Sequence, residues 1–142
     1  MNKNMKKSQG FTLFELLVSI SIIGILVALA TVSYSAAQKK ARDARRIQDM
    51  KSIQTAAEQY YSMNNYVYPA STSAPGDWTV DGQTVLEQYP TDPKPSDYTY
   101  NSVFAADSYC VCAEMENETG GNSADACNFS GGTTHFCVKN QQ

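Results

Sequence analysis

The sequence has one histidine, His135, and no Gly-x-Ser-x-Gly, P-loop or Gly-x-Gly-x-x-Gly stretch. Aspartate and glutamate are plentiful, but no pattern sets two of them in one pocket. No catalytic constellation is recognisable, and no enzyme activity or cofactor is expected. Basic residues are nearly missing from the distal part. Beyond Lys51 only Lys94 and Lys139 remain, against eleven acidic residues after Ser52. That balance argues against a head that binds nucleic acid. Proline is absent between residues 11 and 68, so nothing there forbids a continuous helix. Cysteine is absent from the first 109 residues, and all four cysteines fall in the last third. An even number clustered in a small, turn-rich, acidic region points to disulfides and an oxidising compartment.

Charge is also missing from residues 11–32, where Glu15 is the only ionisable group in twenty-two residues. As a helix this run spans roughly 33 Å, about one bilayer hydrocarbon core. A buried core helix so long and so apolar would be unusual in a 142-residue chain whose mean hydropathy is below zero. The segment reads as a membrane helix. Lys3, Lys6 and Lys7 precede it, as in the basic region of a secretory signal. An ordinary signal has a shorter apolar region followed by a small-residue cleavage site, and neither holds here. A short basic leader ending at Gly10, with the apolar segment retained, fits better.

The stretch Lys6-Lys7-Ser8-Gln9-Gly10, then Phe11-Thr12-Leu13-Phe14-Glu15-Leu16-Leu17, resembles the leader and mature start of bacterial type IV pilins and type II secretion pseudopilins. The glycine, the aromatic first residue and the acid four positions later match together. The resemblance implies cleavage after Gly10 by a prepilin peptidase and N-methylation of Phe11. Loss of three lysines would take the formal charge from −3 to −6. It also implies a reason for Glu15. A carboxylate inside hydrocarbon costs roughly 2.5–3.5 kcal/mol and calls for a partner. Cleavage creates one, the Phe11 α-amino group. In the family this acid is thought to attract the amino terminus of a neighbouring subunit during assembly. The positive end of the helix dipole favours the carboxylate as well. The alternative is that Glu15 reaches the near interface by itself.

The resemblance implies a pilin-like α+β fold: a long N-terminal helix packed on a small antiparallel sheet. It gives a leader at residues 1–10, a membrane and filament-core half at 11–33, an amphipathic half at 34–64 and a globular head at 65–142. The implied role is structural, in a type II secretion pseudopilus or in a type IV pilus for adhesion, twitching or DNA uptake. The implied partners are copies of the chain, minor pilins or pseudopilins, the prepilin peptidase, an inner-membrane assembly platform and lipid before assembly. The head would lie outside the cytoplasm. A single-pass anchored sensor or binding module is the alternative from another class. The positive-inside rule pulls the other way, because six basic residues at 39–51 outnumber the three in the leader. The cysteines and the leader place the head outside.

Ala37, Ala41, Ala44, Ile47, Met50, Ile53 or Gln54, Ala57 and Tyr60 recur at three- and four-residue steps, an apolar stripe for the head. Asn64-Asn65 is a natural stop. The basic cluster with Asp43 and Asp49 is expected to pair along the helix or between subunits. The Tyr66 to Pro69 and Tyr89 to Pro93 neighbourhoods are similar to the turns of major pseudopilins. Around Asp81-Gly82 the sequence suits a hairpin, although residues 84–88 read somewhat better as a short helix. Strands are predicted at 97–105, 108–114 and 135–139.

Cys110 and Cys112 would face the same side of a strand, too far apart to bond while it is extended. Two pairings remain: 110–127 with 112–137, or 110–137 with 112–127. Either closes the polar loop 115–134. A metal site of the four thiolates and His135 is the rival, but the spacing lacks the usual C-x-x-C pairs and no metal is expected. The resemblance also raises calcium near Asp107, Glu114, Glu116, Glu118 and Asp125. A solvated acidic loop is the commoner explanation.

Overall fold

The computed structural model describes residues 10–70, 77–129 and 131–142. The leader residues 1–9, with the three lysines, lie outside the described residues, as does the stretch 71–76 of the expected head. One helix, α1 (Leu13–Met63), is followed by five short strands, giving the α+β pilin-like architecture expected. The chain divides into two compact units, Met1–Ala37 and Gln38–Gln142.

α1 runs through 51 residues without a proline. Asn65 and Tyr66 end it at φ 51° and 61°, and the Tyr66 N–H donates to the Tyr61 carbonyl at 3.0 Å. This is a Schellman stop built on asparagine, whose short polar side chain tolerates the left-handed region. Within the N-terminal unit the apolar side chains from Phe11 to Tyr34 are exposed, and α1 is long and apolar enough to cross a membrane. Four of its hydroxyls are satisfied locally. Ser19, Ser21, Thr31 and Ser33 donate to the carbonyls of Glu15, Leu17, Ala28 and Leu29. That suits a segment with no water to bond.

In the second unit, β1 (Trp78–Val80) and β2 (Gln83–Leu86) form a two-stranded hairpin, which corrects the preference for a helix at 84–88. Asp81 and Gly82 both take positive φ, 49° and 79°, the requirement of a two-residue primed turn. β3 (Asn101–Phe104), β4 (Tyr109–Glu114) and β5 (His135–Lys139) make an antiparallel sheet with β4 central. β3 is shorter than the predicted 97–105. Residues of β4 alternate. Tyr109, Val111 and Ala113 join Met50, Ile53 and Ala57 of α1 in the core, and Cys110 and Cys112 take the opposite face. Aromatic rings fill much of that core. Trp78 meets Phe104 edge-on at 5.4 Å, Phe104 stacks on Tyr109 at 5.3 Å, and Tyr109 meets Tyr68 at 4.9 Å. Such contacts let a small head bury much area with few residues.

The predicted stripe on α1 holds in its upper part only. Ala37, Ala41 and Ala44 are exposed, and the buried positions are Asp43, Arg46, Met50, Ile53, Ala56 and Ala57. The steps 43, 46, 50, 53, 57 keep one face of the helix toward the head. The lower two of those positions carry charges.

Candidate functional site

Three groups of residues carry chemistry. The first is the N-terminal element. Gly10 has open space where a side chain would stand, and Phe11 is 89% exposed. Thr12 caps α1. Its backbone N–H and its hydroxyl each donate to Glu15 Oε2 at 2.8 Å, and the Glu15 N–H donates back to the Thr12 hydroxyl at 3.2 Å. This is a capping box, in which a threonine and a glutamate three residues on satisfy each other's orphan donors. The Thr-x-x-Glu spacing before an apolar run is the sequence signal of this box. Glu15 therefore has a partner within its own chain, the turn that starts its helix.

The second group lies at the base of the head. Arg46 is fully buried. Its Nε and Nη2 donate to Asp92 at 2.7 and 2.9 Å, and its Nη1 donates to Asp43 at 2.8 Å and to Glu116 at 3.0 Å. The guanidinium also lies over the Tyr98 ring at 4.4 Å. Arg42 grips Glu116 with two bonds of 2.6 Å. Asp43 accepts the backbone N–H groups of Glu116 and Asn117, both at 2.9 Å. Helix, β2–β3 loop and β4–β5 loop thus meet at one charged node. The Arg42 guanidinium, helped by Arg46, holds the Glu116 carboxyl down to about 2 despite its burial. Burial works against the Arg46 charge, but its bonds to Asp92 and Asp43 outweigh that and raise its pKa. Glu116 is therefore not part of a solvated acidic loop. Arg42 and Arg46 pair mainly with the head, although Arg46 to Asp43 is an intrahelical contact. The Arg46–Asp43 contact is the pairing along the helix that was expected of the basic cluster, whereas the burial of Arg46 against Asp92 and Glu116 of the head is not legible from apolar periodicity, which passes over charged residues.

The third group is the cysteines. Cys110 bonds Cys127 and Cys112 bonds Cys137, the first of the two pairings left open. Register decides it, because Cys137 on β5 sits directly across from Cys112 on β4. Together the bridges pin the loop 115–134 over the outer face of the sheet. Glycines let that loop close. A Cβ on Gly121 would fall 2.2 Å from the His135 carbonyl oxygen, and one on Gly132 would fall 2.4 Å from the Ala124 Cα. The structure gathers all four cysteines into one cluster. Gly10, Phe11 and Glu15 belong to the other compact unit.

Comparison with known proteins bears on the same regions. A model of the prokaryotic N-terminal methylation motif matches residues 5–31. The type II secretion system core protein G of Vibrio cholerae is 31% identical over 96 residues, covering 68% of this chain and 60% of that protein. Its namesake in Pseudomonas aeruginosa is 28% identical over 140 residues, covering 87% and 96%. A fimbrial protein of Pseudomonas aeruginosa is 39% identical over 54 residues, covering 38% and 35%. No solved structure gives a significant match.

Proposed function

We propose that this chain, a member of the family of type IV pilins and type II secretion pseudopilins, serves as a secretion pseudopilin. It is then a structural subunit, anchored in the inner membrane by residues 11–32 with its head outside, cut after Gly10, methylated on Phe11 and packed with copies of itself into a helical filament. The observation that carries this reading over a surface pilus is the extent of likeness. The core protein G match runs through 96% of the Pseudomonas relative, whereas the fimbrial match stops at 54 residues.

The capping box gives Glu15 a defined part in such assembly. A carboxylate accepts about four hydrogen bonds. The two donated by Thr12 therefore leave room for a further donor. Before assembly the Thr12 donors lower the cost of holding the charge in hydrocarbon. On arrival at the filament, the α-amino group of a neighbour's Phe11 supplies the charged partner without dismantling the helix start. Thr12 and Glu15 act as a unit, one keeping the acceptor aimed and the other carrying the charge. The prepilin peptidase and an inner-membrane platform are the partners this role requires.

Mass spectrometry of the N-terminal peptide in sheared filaments and in the cell envelope tests the reading. A peptide beginning at methylated Phe11, confined to the envelope, supports a pseudopilin. The same peptide abundant in the sheared fraction supports a surface pilus, a role the cystine-stapled loop would also suit. An intact Met1 to Gly10 leader on the mature protein refutes both.

A further inference from the structure

We propose that the reduced head is a tetrathiolate metal site, in which Cys110, Cys112, Cys127 and Cys137 hold one soft divalent cation of the zinc type where the two disulfides stand after oxidation. The sulfurs form one contiguous group. Besides the two bonded pairs, Cys110 Sγ lies 3.7 Å from Cys112 Sγ, and Cys112 Sγ lies 3.6 Å from Cys127 Sγ. The sulfurs of Cys110, Cys112 and Cys127 all fall within 4.8 Å of one another. Zinc–thiolate bonds of about 2.3 Å arranged tetrahedrally require sulfur–sulfur separations of about 3.8 Å. Two of the edges already have nearly that length. Cys137 Sγ, bonded to Cys112, lies outside that 4.8 Å group, so once reduced it must swing toward the other three by side-chain rotation as the bonded pairs part.

A second observation concerns the sulfur at the centre. The Cys127 N–H points at Cys112 Sγ, 3.0 Å away, and Cys127 reaches that position from the left-handed region at φ 60°. A backbone donor aimed at sulfur does little for a neutral disulfide but stabilises a thiolate, as the outer shell of a metal site does. Cys112 and Cys137 are buried, while Cys110 and Cys127 are partly exposed, which leaves one side open for entry. Four sulfur donors favour a soft cation over calcium or magnesium. The missing C-x-x-C spacing is no obstacle, because C-x-C on a strand sets two sulfurs on one face and the neighbouring strand and loop bring the others.

The chemistry balances simply. A water-soluble phosphine converts each cystine and one water into two thiols and leaves as its oxide. Binding one divalent cation to the four thiols then releases four protons. Metal and disulfides become alternative staples of the same loop: two equivalents of an exchanging disulfide, each reduced to two thiols, take up the four electrons as the thiolates pair, and the cation is released.

The test is anaerobic cobalt titration of the full chain in detergent micelles after phosphine reduction. The expected result is intense thiolate-to-cobalt charge transfer with tetrahedral d–d bands, saturating at one cobalt per chain and abolished by zinc. Cys127→Ser should lose the four-sulfur spectrum. Should the reduced chain unfold without metal, addition of zinc is expected to restore the emission of Trp78 to that of the oxidised head. Weak octahedral bands, one cobalt shared by two chains, an unchanged spectrum in Cys127→Ser, or binding without recovery of Trp78 emission would each overturn the proposal.

Discussion

Replacing Arg46 by methionine keeps much of the aliphatic stem and deletes the guanidinium. In the parent the node holds two guanidinium groups against three carboxylates, a formal −1, and the substitution takes it to −2. The losses are unequal. Asp43 keeps two backbone N–H donors and Glu116 keeps Arg42. Asp92, with its side chain 1% exposed, is left with the Lys94 N–H at 2.7 Å. Removing one partner of such a buried pair costs about 3–5 kcal/mol, because the stranded charge cannot be rehydrated in place. Against a total stability of about 5–15 kcal/mol for a domain, that is about a fifth or more, and the melting temperature should fall by on the order of 15 °C. The assay is denaturant unfolding of the full chain in micelles, followed by emission of Trp78, the single tryptophan, which lies in the head core. Arg46→Lys should recover only part of the loss, since an ammonium cannot reproduce the paired bonds to Asp92. Adding Asp92→Asn to Arg46→Met should recover part as well, by removing the stranded charge. An Arg46→Met variant within about 1 kcal/mol of the parent, the range of a surface ion pair, would refute the reasoning.

Three further outcomes follow from the geometry. Glu116 titrates near 2 in the folded head and near 4.5 in the unfolded chain, so its contribution is full above about 4.5 and drains away as pH falls toward 2. Glu116→Gln should lower stability at neutral pH and flatten the acid limb of a stability profile, and an unaltered limb would count against the Arg42 pairing. Gly121→Ala drives a methyl into the His135 and Thr133 carbonyls and should destabilise the head by about 1–3 kcal/mol in the same unfolding assay. Thr12→Val removes the hydroxyl of the capping box but not the charge. It should permit membrane insertion while reducing filament incorporation less than Glu15→Ala does, as read by fractionation, and equal loss in both would mean that Thr12 does more than aim the acid.

What could be read in advance depended on how far apart the interacting residues lie in sequence. The apolar run, the Gly10–Phe11–Glu15 pattern and the absence of proline are local, and α1 emerged within two residues of its expected ends. The capping box is equally local, with Thr12 and Glu15 three residues apart at the start of the apolar run. The hairpin at Asp81-Gly82 carried its own turn signal, and Val85 and Leu86 suit a strand as well as a helix turn. The node at Arg46 was out of reach. Two of its three carboxylates come from residues 46 and 70 positions away, and the charged residues occupy the helix face where apolar ones are sought. The cysteine pairing had the same limit, since it follows from the β4–β5 register across a twenty-residue loop.

The node at the foot of the head has a mechanical consequence. The seam made by Met50, Ile53 and Ala57 is greasy, and side chains of that kind resist sliding only weakly. Shear along the helix axis would otherwise let the head creep by a turn, about 5.4 Å, and still find apolar ground. Arg46 works as a dowel. Its forked bonds to Asp92 fit one axial position, and displacement of the head by a single turn breaks them together with the bond to Glu116, leaving only the intrahelical contact to Asp43. Force applied along this part of the helix therefore reaches the head without the two losing their register.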